Sequence, residues 1–292
     1  MIVNNPQFRP PAEARSLILR VDRGCPHNRC TFCAMYRDAR YERLSLDEVR
    51  ELVEQEARLA TGPRRIFLAD GDVMRRPFEQ LMCILEMLNA AFLRLARVST
   101  YANGRSIVTK SETELEALRA LKLHTLYMGM ESGDESLLQR CRKGDTAEQM
   151  VRAVTSAQAA GLRMSVMVLL GLGGTEGSEA HAACTAEGLN RMQPRLLSAL
   201  RVITVPGTEL HADVEAGVFQ PLTEWQVVWE LRELIARLQL RSTVFRANHS
   251  SNIVPIEARF PHDKPRVLAE LDALLASGSL DKASPGRMPM SL

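Results

Sequence analysis

Apolar, β-branched runs alternate with amphipathic stretches along most of this chain. Runs at residues 16–21, 65–68, 98–101, 125–130, 164–170 and 198–204 predict strands, with a weaker seventh at 243–245. Between them the hydrophobic positions recur at three- and four-residue spacing, which predicts helices. Ser45 with Glu48 forms a capping box, Leu44 with Val49 a hydrophobic staple, and Gly62-Pro63 a stop. Ser111 with Glu114 opens a second helix, and a third runs from near Thr146 to Gly161, a natural left-handed C-cap. Helices near 77–96, 177–192 and 223–241 complete the set. Strands alternating with helices predict a parallel sheet with helical crossovers.

The polar and glycine residues fall at the ends of the expected strands. A cysteine-rich loop follows the first, Asp70-Gly71-Asp72 the second, Asn103-Gly104 the third and Glu131-Ser132-Gly133 the fourth. Gly171-Leu-Gly173-Gly174 follows the fifth and Pro206-Gly207 the sixth. Sites of parallel α/β barrels are built from the loops at the C-terminal strand ends. The fold class expected is therefore α/β, a partial (β/α)6 TIM-like barrel of parallel strands with a short C-terminal extension. No composition shift divides the chain, so residues 1–280 are read as one core with that extension. The Ser-, Pro-, Gly- and Met-rich end frays from Ser277, and residues 281–292 are read as a flexible tail.

Composition narrows the class. With 292 residues, 46% hydrophobic and 25% charged, the chain can bury a large core, and a net charge of +2 gives no strong field toward nucleic acid or an acidic membrane. The opening Met-Ile-Val-Asn-Asn-Pro lacks the pattern of a signal peptide, and no apolar run reaches bilayer length. Cys83, Cys141 and Cys184 are scattered on helical patterns, unlike a disulfide scaffold, so a reducing cytoplasmic compartment is expected.

Chemistry concentrates in Cys25-Pro-His-Asn-Arg-Cys30-Thr-Phe-Cys33. Three soft thiolates in nine residues suit an iron–sulfur cluster with one iron left free. The alternatives are a zinc site closed by His27 and three plain cysteines. The alternative function is a non-catalytic barrel protein that binds an iron–sulfur cluster, as an electron carrier does, or zinc. An Arg inside an apolar strand, Arg201, wants an anion or a carboxylate. Glu131 closes an apolar run and is poorly suited to a core. Lys143-Gly144 reads most simply as a helix stop, and His249 in Asn248-His249-Ser-Ser-Asn252 as part of a polar loop.

The stretch from Gly24 to Arg37 resembles the cluster loop of radical S-adenosylmethionine (SAM) enzymes, in the style of the branch with coproporphyrinogen dehydrogenases, methylthiotransferases and the elongator catalytic subunit. The resemblance extends over residues 16–208, with motifs in the same order. One departure is plain: four residues, Pro26 to Arg29, separate the first two cysteines, where the family usually has three. The resemblance implies a [4Fe–4S] cluster on Cys25, Cys30 and Cys33, with SAM chelating the open iron. It implies Phe32 near the adenine and Asp70, Gly71 and Asp72 at the SAM amino group. It places Glu131 and Ser132 at the ribose or the methionine carboxylate, and Asn103 and Arg201 among further SAM contacts. It implies reductive cleavage of SAM, hydrogen abstraction from a substrate the sequence does not name, and an electron donor such as flavodoxin or ferredoxin.

Overall fold

The computed structural model describes residues 8–59 and 62–286. In chain order it contains β1 (Leu17–Leu19), β2 (Asp22–Arg23), β3 (Glu42–Arg43), α1 (Leu46–Leu59), β4 (Arg65–Leu68), α2 (Phe78–Ala91), β5 (Arg97–Tyr101), α3 (Gly104–Ile107) and α4 (Glu112–Ala120). There follow β6 (Leu123–Glu131), α5 (Glu135–Arg140), α6 (Ala147–Ala159), β7 (Arg163–Leu170), α7 (Gly174–Met192), β8 (Leu196–Arg201), α8 (Glu209–Glu215), α9 (Glu224–Arg237), β9 (Thr243–Arg246), β10 (Glu257–Phe260) and α10 (Lys264–Ala276). The main sheet has eight strands in the order β1-β4-β5-β6-β7-β8-β9-β10. Neighbours pair in parallel from β1 to β6 and from β7 to β9, an arrangement that needs long crossover connections between strands. All seven expected strands are there, the weak seventh as β9 parallel to β8. An antiparallel partner, β10, extends the sheet beyond it, and β2 with β3 makes a separate two-stranded ribbon.

The chain divides into two compact units. The first comprises the described residues up to Asn28, with Met35–Met128 and Ala153–Met164. Its strands carry aromatic residues on one pleat: Phe67 lies edge-on to Tyr101 at 5.2 Å and to Tyr127 at 6.0 Å. Ile66, Leu68 and Val98 occupy the opposite pleat and are buried, as are Val49 and Val53 of α1 and Leu81, Leu85 and Leu88 of α2. The period of 3.6 puts these helical residues on one stripe each, and α1 packs on α2. Two charged groups are sealed into this core. Arg76, 0% exposed, donates to Asp22 Oδ1 and to the carbonyls of Val21 and Leu44, the latter two at 2.7 Å. Glu13, 0% exposed, accepts from Tyr127 Oη at 2.9 Å and pairs with Arg97 at 3.5 Å.

The second unit comprises Arg29–Ala34, Gly129–Arg152 and the described residues from Ser165 onward. Val168 and Leu170 of β7 stand in register with Ala199 and Arg201 of β8, and all four are buried on one pleat. Helix α9 starts at a capping box, Thr223 with Gln226, and buries Val227, Val228, Leu231, Leu234 and Ile235. It packs on α7 and α10. Part of the expected tail lies against α9: the Glu224 N–H donates to the Ser284 carbonyl at 3.0 Å and the Trp225 N–H to Asp281 at 3.1 Å. Leu280 is buried beside them in sequence, and residues 287–292 of the expected tail lie outside the described residues.

Candidate functional site

In the first unit the site begins where β2 and β4 end. Asp70, fully buried, has a left-handed backbone with φ of 75°. Its Oδ2 accepts from the Gly24 N–H at 2.9 Å and its carboxylate pairs with Arg20 at 3.3 Å. The Gly71 N–H donates to the Gly24 carbonyl at 3.0 Å. Two of these links pin Gly24, the residue before Cys25, to the end of β4, and the third ties Arg20 there. Gly71 is the seat of the thiol: a Cβ there would lie 2.7 Å from Cys25 Cβ and 2.9 Å from its Sγ. Asp72, 1% exposed, accepts from the Asn103 N–H at 3.2 Å, Asn103 Nδ2 at 3.0 Å and Ser106 Oγ at 2.6 Å, bracing the first turn of α3. Both carboxylates expected to meet the SAM amino group are therefore engaged by protein donors, and Asn103 is engaged by Asp72.

In the second unit Thr31, between Cys30 and Cys33, ties the loop down. Its N–H donates to the Cys141 carbonyl at 3.1 Å and its carbonyl accepts from the Leu210 N–H at 3.1 Å. Phe32 packs on the apolar cluster of Leu137, Cys141, Leu172 and Leu210. At the end of β6 Glu131 takes a left-handed backbone, φ 61°, and pairs with Lys143 Nζ at 3.1 Å. Gly129 leaves room for this pair, since a Cβ there would meet Glu131 Oε1 at 2.0 Å and Lys143 Nζ at 3.3 Å. Burial alone would lower the Lys143 pKa; Glu131, Cys30 and Asp145 outweigh it and hold the ammonium above the ordinary lysine range. Lys143 is the partner of Glu131 that the sequence did not announce. Its dipeptide with Gly144 stood out, and φ of 75° at Gly144 does fit a helix stop, but the ammonium also faces the carboxylate.

Two other expected contacts are bonded inward. Ser132, 0% exposed, shares a hydrogen bond of 2.8 Å with His181 Nδ1 and accepts from the Asp134 N–H at 3.0 Å. His181 Nε2 lies 3.7 Å from Glu230, which accepts from the Gly171 N–H at 2.6 Å and from Ser178 Oγ. Desolvation raises the Glu230 pKa, moderated by His181, Ser178 and the Gly171 N–H. This network joins the ends of β6 and β7 to α7 and α9. Its sequence signal was a carboxylate on the apolar stripe of α9. Arg201 donates through Nε to the Ser251 carbonyl at 2.6 Å and through Nη1 to Pro285. These main-chain oxygens fasten the loop after β9 and the C-terminal segment to Arg201, and the Glu224 carboxylate acts on the same cation electrostatically.

None of the six cysteines is in a disulfide. Cys25, Cys30 and Cys33 are partly exposed, while the Cys141 thiol is buried and its pKa is pushed up to about 11 by desolvation. Among the described residues no group of three or more His, Cys, Asp or Glu side chains is gathered as for a metal ion. The donor chemistry nonetheless fits an iron–sulfur cluster: three partly exposed soft ligands outside any disulfide, one of them seated where a glycine leaves no side chain. Among the described residues no helix is long and apolar enough to cross a membrane.

A family model described as the Radical SAM superfamily matches residues 19–183. The chain belongs to this superfamily, whose members use a [4Fe–4S] cluster and SAM; membership implies SAM-cleaving radical chemistry. Solved structures share the fold, a partial (β/α) barrel. Coproporphyrinogen III oxidase from Escherichia coli is 16% identical over 91% of this chain and 54% of its own, with a TM-score of 0.53. Methylornithine synthase is 14% identical over 93% of this chain and 83% of its own, with a TM-score of 0.54. A cobalamin-dependent SAM radical enzyme with aqua-cobalamin and SAM bound is 18% identical over 69% of this chain, with a TM-score of 0.51. The chain spans only 30% of that enzyme's length. No curated protein matches the sequence.

Proposed function

We propose that this chain is a radical SAM enzyme whose thiols Cys25, Cys30 and Cys33 hold the [4Fe–4S] cluster. When bound and reduced, the cluster with SAM supplies a 5′-deoxyadenosyl radical that takes hydrogen from a substrate. The observation that carries this reading is the seat of Cys25 on Gly71, stitched through Gly24 to the end of a parallel strand in a chain of this superfamily. Asp70 fixes the approach of the loop through the Gly24 N–H and Arg20, and Asp72 orders the Asn103 turn. Gly71 offers its carbon face rather than a side chain, so SAM's ammonium is left to main-chain carbonyls of the 70–72 turn. Phe32 supplies an apolar wall for the adenine. Glu131 and Lys143 present a carboxylate and an ammonium, which suit ribose hydroxyls and the methionine carboxylate. Ser132 and Arg201 act from behind, by holding strand ends and loops in place. A reducing cytoplasmic setting and a one-electron donor such as flavodoxin or ferredoxin accompany this reading.

The test is anaerobic reconstitution followed by addition of SAM and dithionite. The expected result is a brown protein with about four irons per chain, an EPR signal that changes with SAM, and release of 5′-deoxyadenosine. A colourless protein with stoichiometric zinc, or a cluster whose spectrum ignores SAM and gives no 5′-deoxyadenosine, overturns it.

A further inference from the structure

Tyr36 lies three residues beyond Cys33 and is 5% exposed. Its ring meets Phe8 edge-on at 5.7 Å, and its carbonyl accepts from Asn28 Nδ2 at 2.7 Å. The residue is therefore fixed at both ends, ring and main chain, beside the start of the cysteine loop. Its hydroxyl is buried and has no hydrogen-bond partner. A buried phenol without an acceptor is unfavourable, and such groups are rare unless something absent completes them. The groups near enough to act on this hydroxyl electrostatically are Asp70, Tyr101, Cys25 and Arg20. Asp70 already accepts from the Gly24 N–H and Arg20. Arg20 has no acceptor to offer, and Tyr101 offers only a neutral oxygen. The Asp70 carboxylate, taken up by the Gly24 N–H and Arg20, makes no bond to the Tyr36 hydroxyl, whereas Cys25 becomes a charged acceptor once it ligates iron, and hydrogen bonds to charged acceptors are the strong ones.

We propose that Tyr36 is a positioning residue for the cluster, its O–H donating to the Cys25 thiolate when iron is bound. This inference rests on Cys25 being a cluster ligand. The geometry that serves it is the seat of Cys25 against Gly71 and the buried, partnerless hydroxyl of a phenol held by Phe8 and Asn28. Hydrogen bonds to ligand sulfurs are among the factors that set iron–sulfur potentials. Reduction puts more negative charge on the sulfurs, so a donor favours the reduced state. Tyr36 thus eases the uptake of the electron that starts the reaction, without touching SAM or substrate.

The test is Tyr36→Phe in the reconstituted holoprotein, with a redox titration followed by EPR. Iron content should match wild type. The reduced fraction at a fixed potential should fall by severalfold to tenfold, and tenfold corresponds to about 59 mV for one electron. Tyr101→Phe should leave the potential in place. A fully loaded Tyr36→Phe protein that titrates at the wild-type potential overturns the proposal. If that variant does not load iron, the titration is repeated on wild-type protein made with fluorotyrosine. Its more acidic phenol donates more strongly and should move the potential positive; an unmoved potential overturns the proposal. Failure of the wild type itself to hold a cluster is a different result, and it refutes the assignment of Cys25 as a ligand.

Discussion

At Gly71 an added methyl would lie 2.7 Å from Cys25 Cβ and 2.9 Å from Sγ. Neither atom can retreat easily, because the Gly24 N–H and carbonyl hold the loop to Asp70 and Gly71. Gly71→Ala should therefore destabilise the fold by about 1–3 kcal/mol, as overpacking does, and displace the first thiol. Iron per chain after reconstitution should fall by more than half while far-ultraviolet circular dichroism stays native. Full iron loading would show that the seat does not matter. The sequence made the Asp70-Gly71-Asp72 run conspicuous but not the division of labour within it. An Asp before a Gly fits both an ammonium contact and a turn. Only burial and partners show that Asp70 and Asp72 act on backbone and side chains of their own unit.

Among elements, the longer strands and the capped helices were legible because period and caps agree. The capping box at Ser111 is present as expected, with Ser111 accepting from the Glu114 N–H and Glu114 reaching back. The two-residue strands β2 and β3 gave no readable period, and they owe their place to Arg76 and Asp22. Asp22 is 1% exposed, and desolvation raises its pKa despite the Arg76 charge. Arg76→Met should leave that carboxylate buried without its cation and cost about 3–5 kcal/mol. Urea unfolding reads this loss, and Asp22→Asn in the Arg76→Met background should recover part of it. A loss under about 1 kcal/mol would mean that the pair is easily replaced. Helix α10 and strand β10 were also missed. In the four-residue β10 only Ala258 and Phe260 are apolar, too few to announce a strand, while α10 carries Val267, Leu268, Leu271, Leu274 and Leu275 at a helical spacing that was legible in the sequence.

For the molecule as a whole, Glu230 gives stability a pH dependence. Desolvation raises its pKa above the ordinary 4.5. The native state therefore binds this proton more tightly than the unfolded chain does. Its contribution is fully present below about pH 4.5 and is lost as pH rises through the folded-state pKa. Glu230→Gln removes the titration. The stability of wild type relative to Glu230→Gln should fall between about pH 4 and the raised pKa, then level off. Denaturant unfolding of both proteins from about pH 4 to about pH 8 reads that difference. A difference that is flat, or that grows with pH, would show that Ser178, His181 and the Gly171 N–H outweigh burial.

What the sequence determined by itself is whatever rests on short range. Strand and helix type follow from periodicity, helix starts from caps, and the expectation of iron chemistry from three thiols in one loop at a strand end. Those signals need only neighbouring residues, so they survive without the fold. What only the tertiary structure decided is which polar groups face one another. Ser132 turned to His181, Arg201 to the Ser251 and Pro285 carbonyls, and Lys143 to Glu131. A buried polar group takes the partner that folding brings to it, at separations of 12 to 84 residues in these cases, and no local pattern encodes that choice.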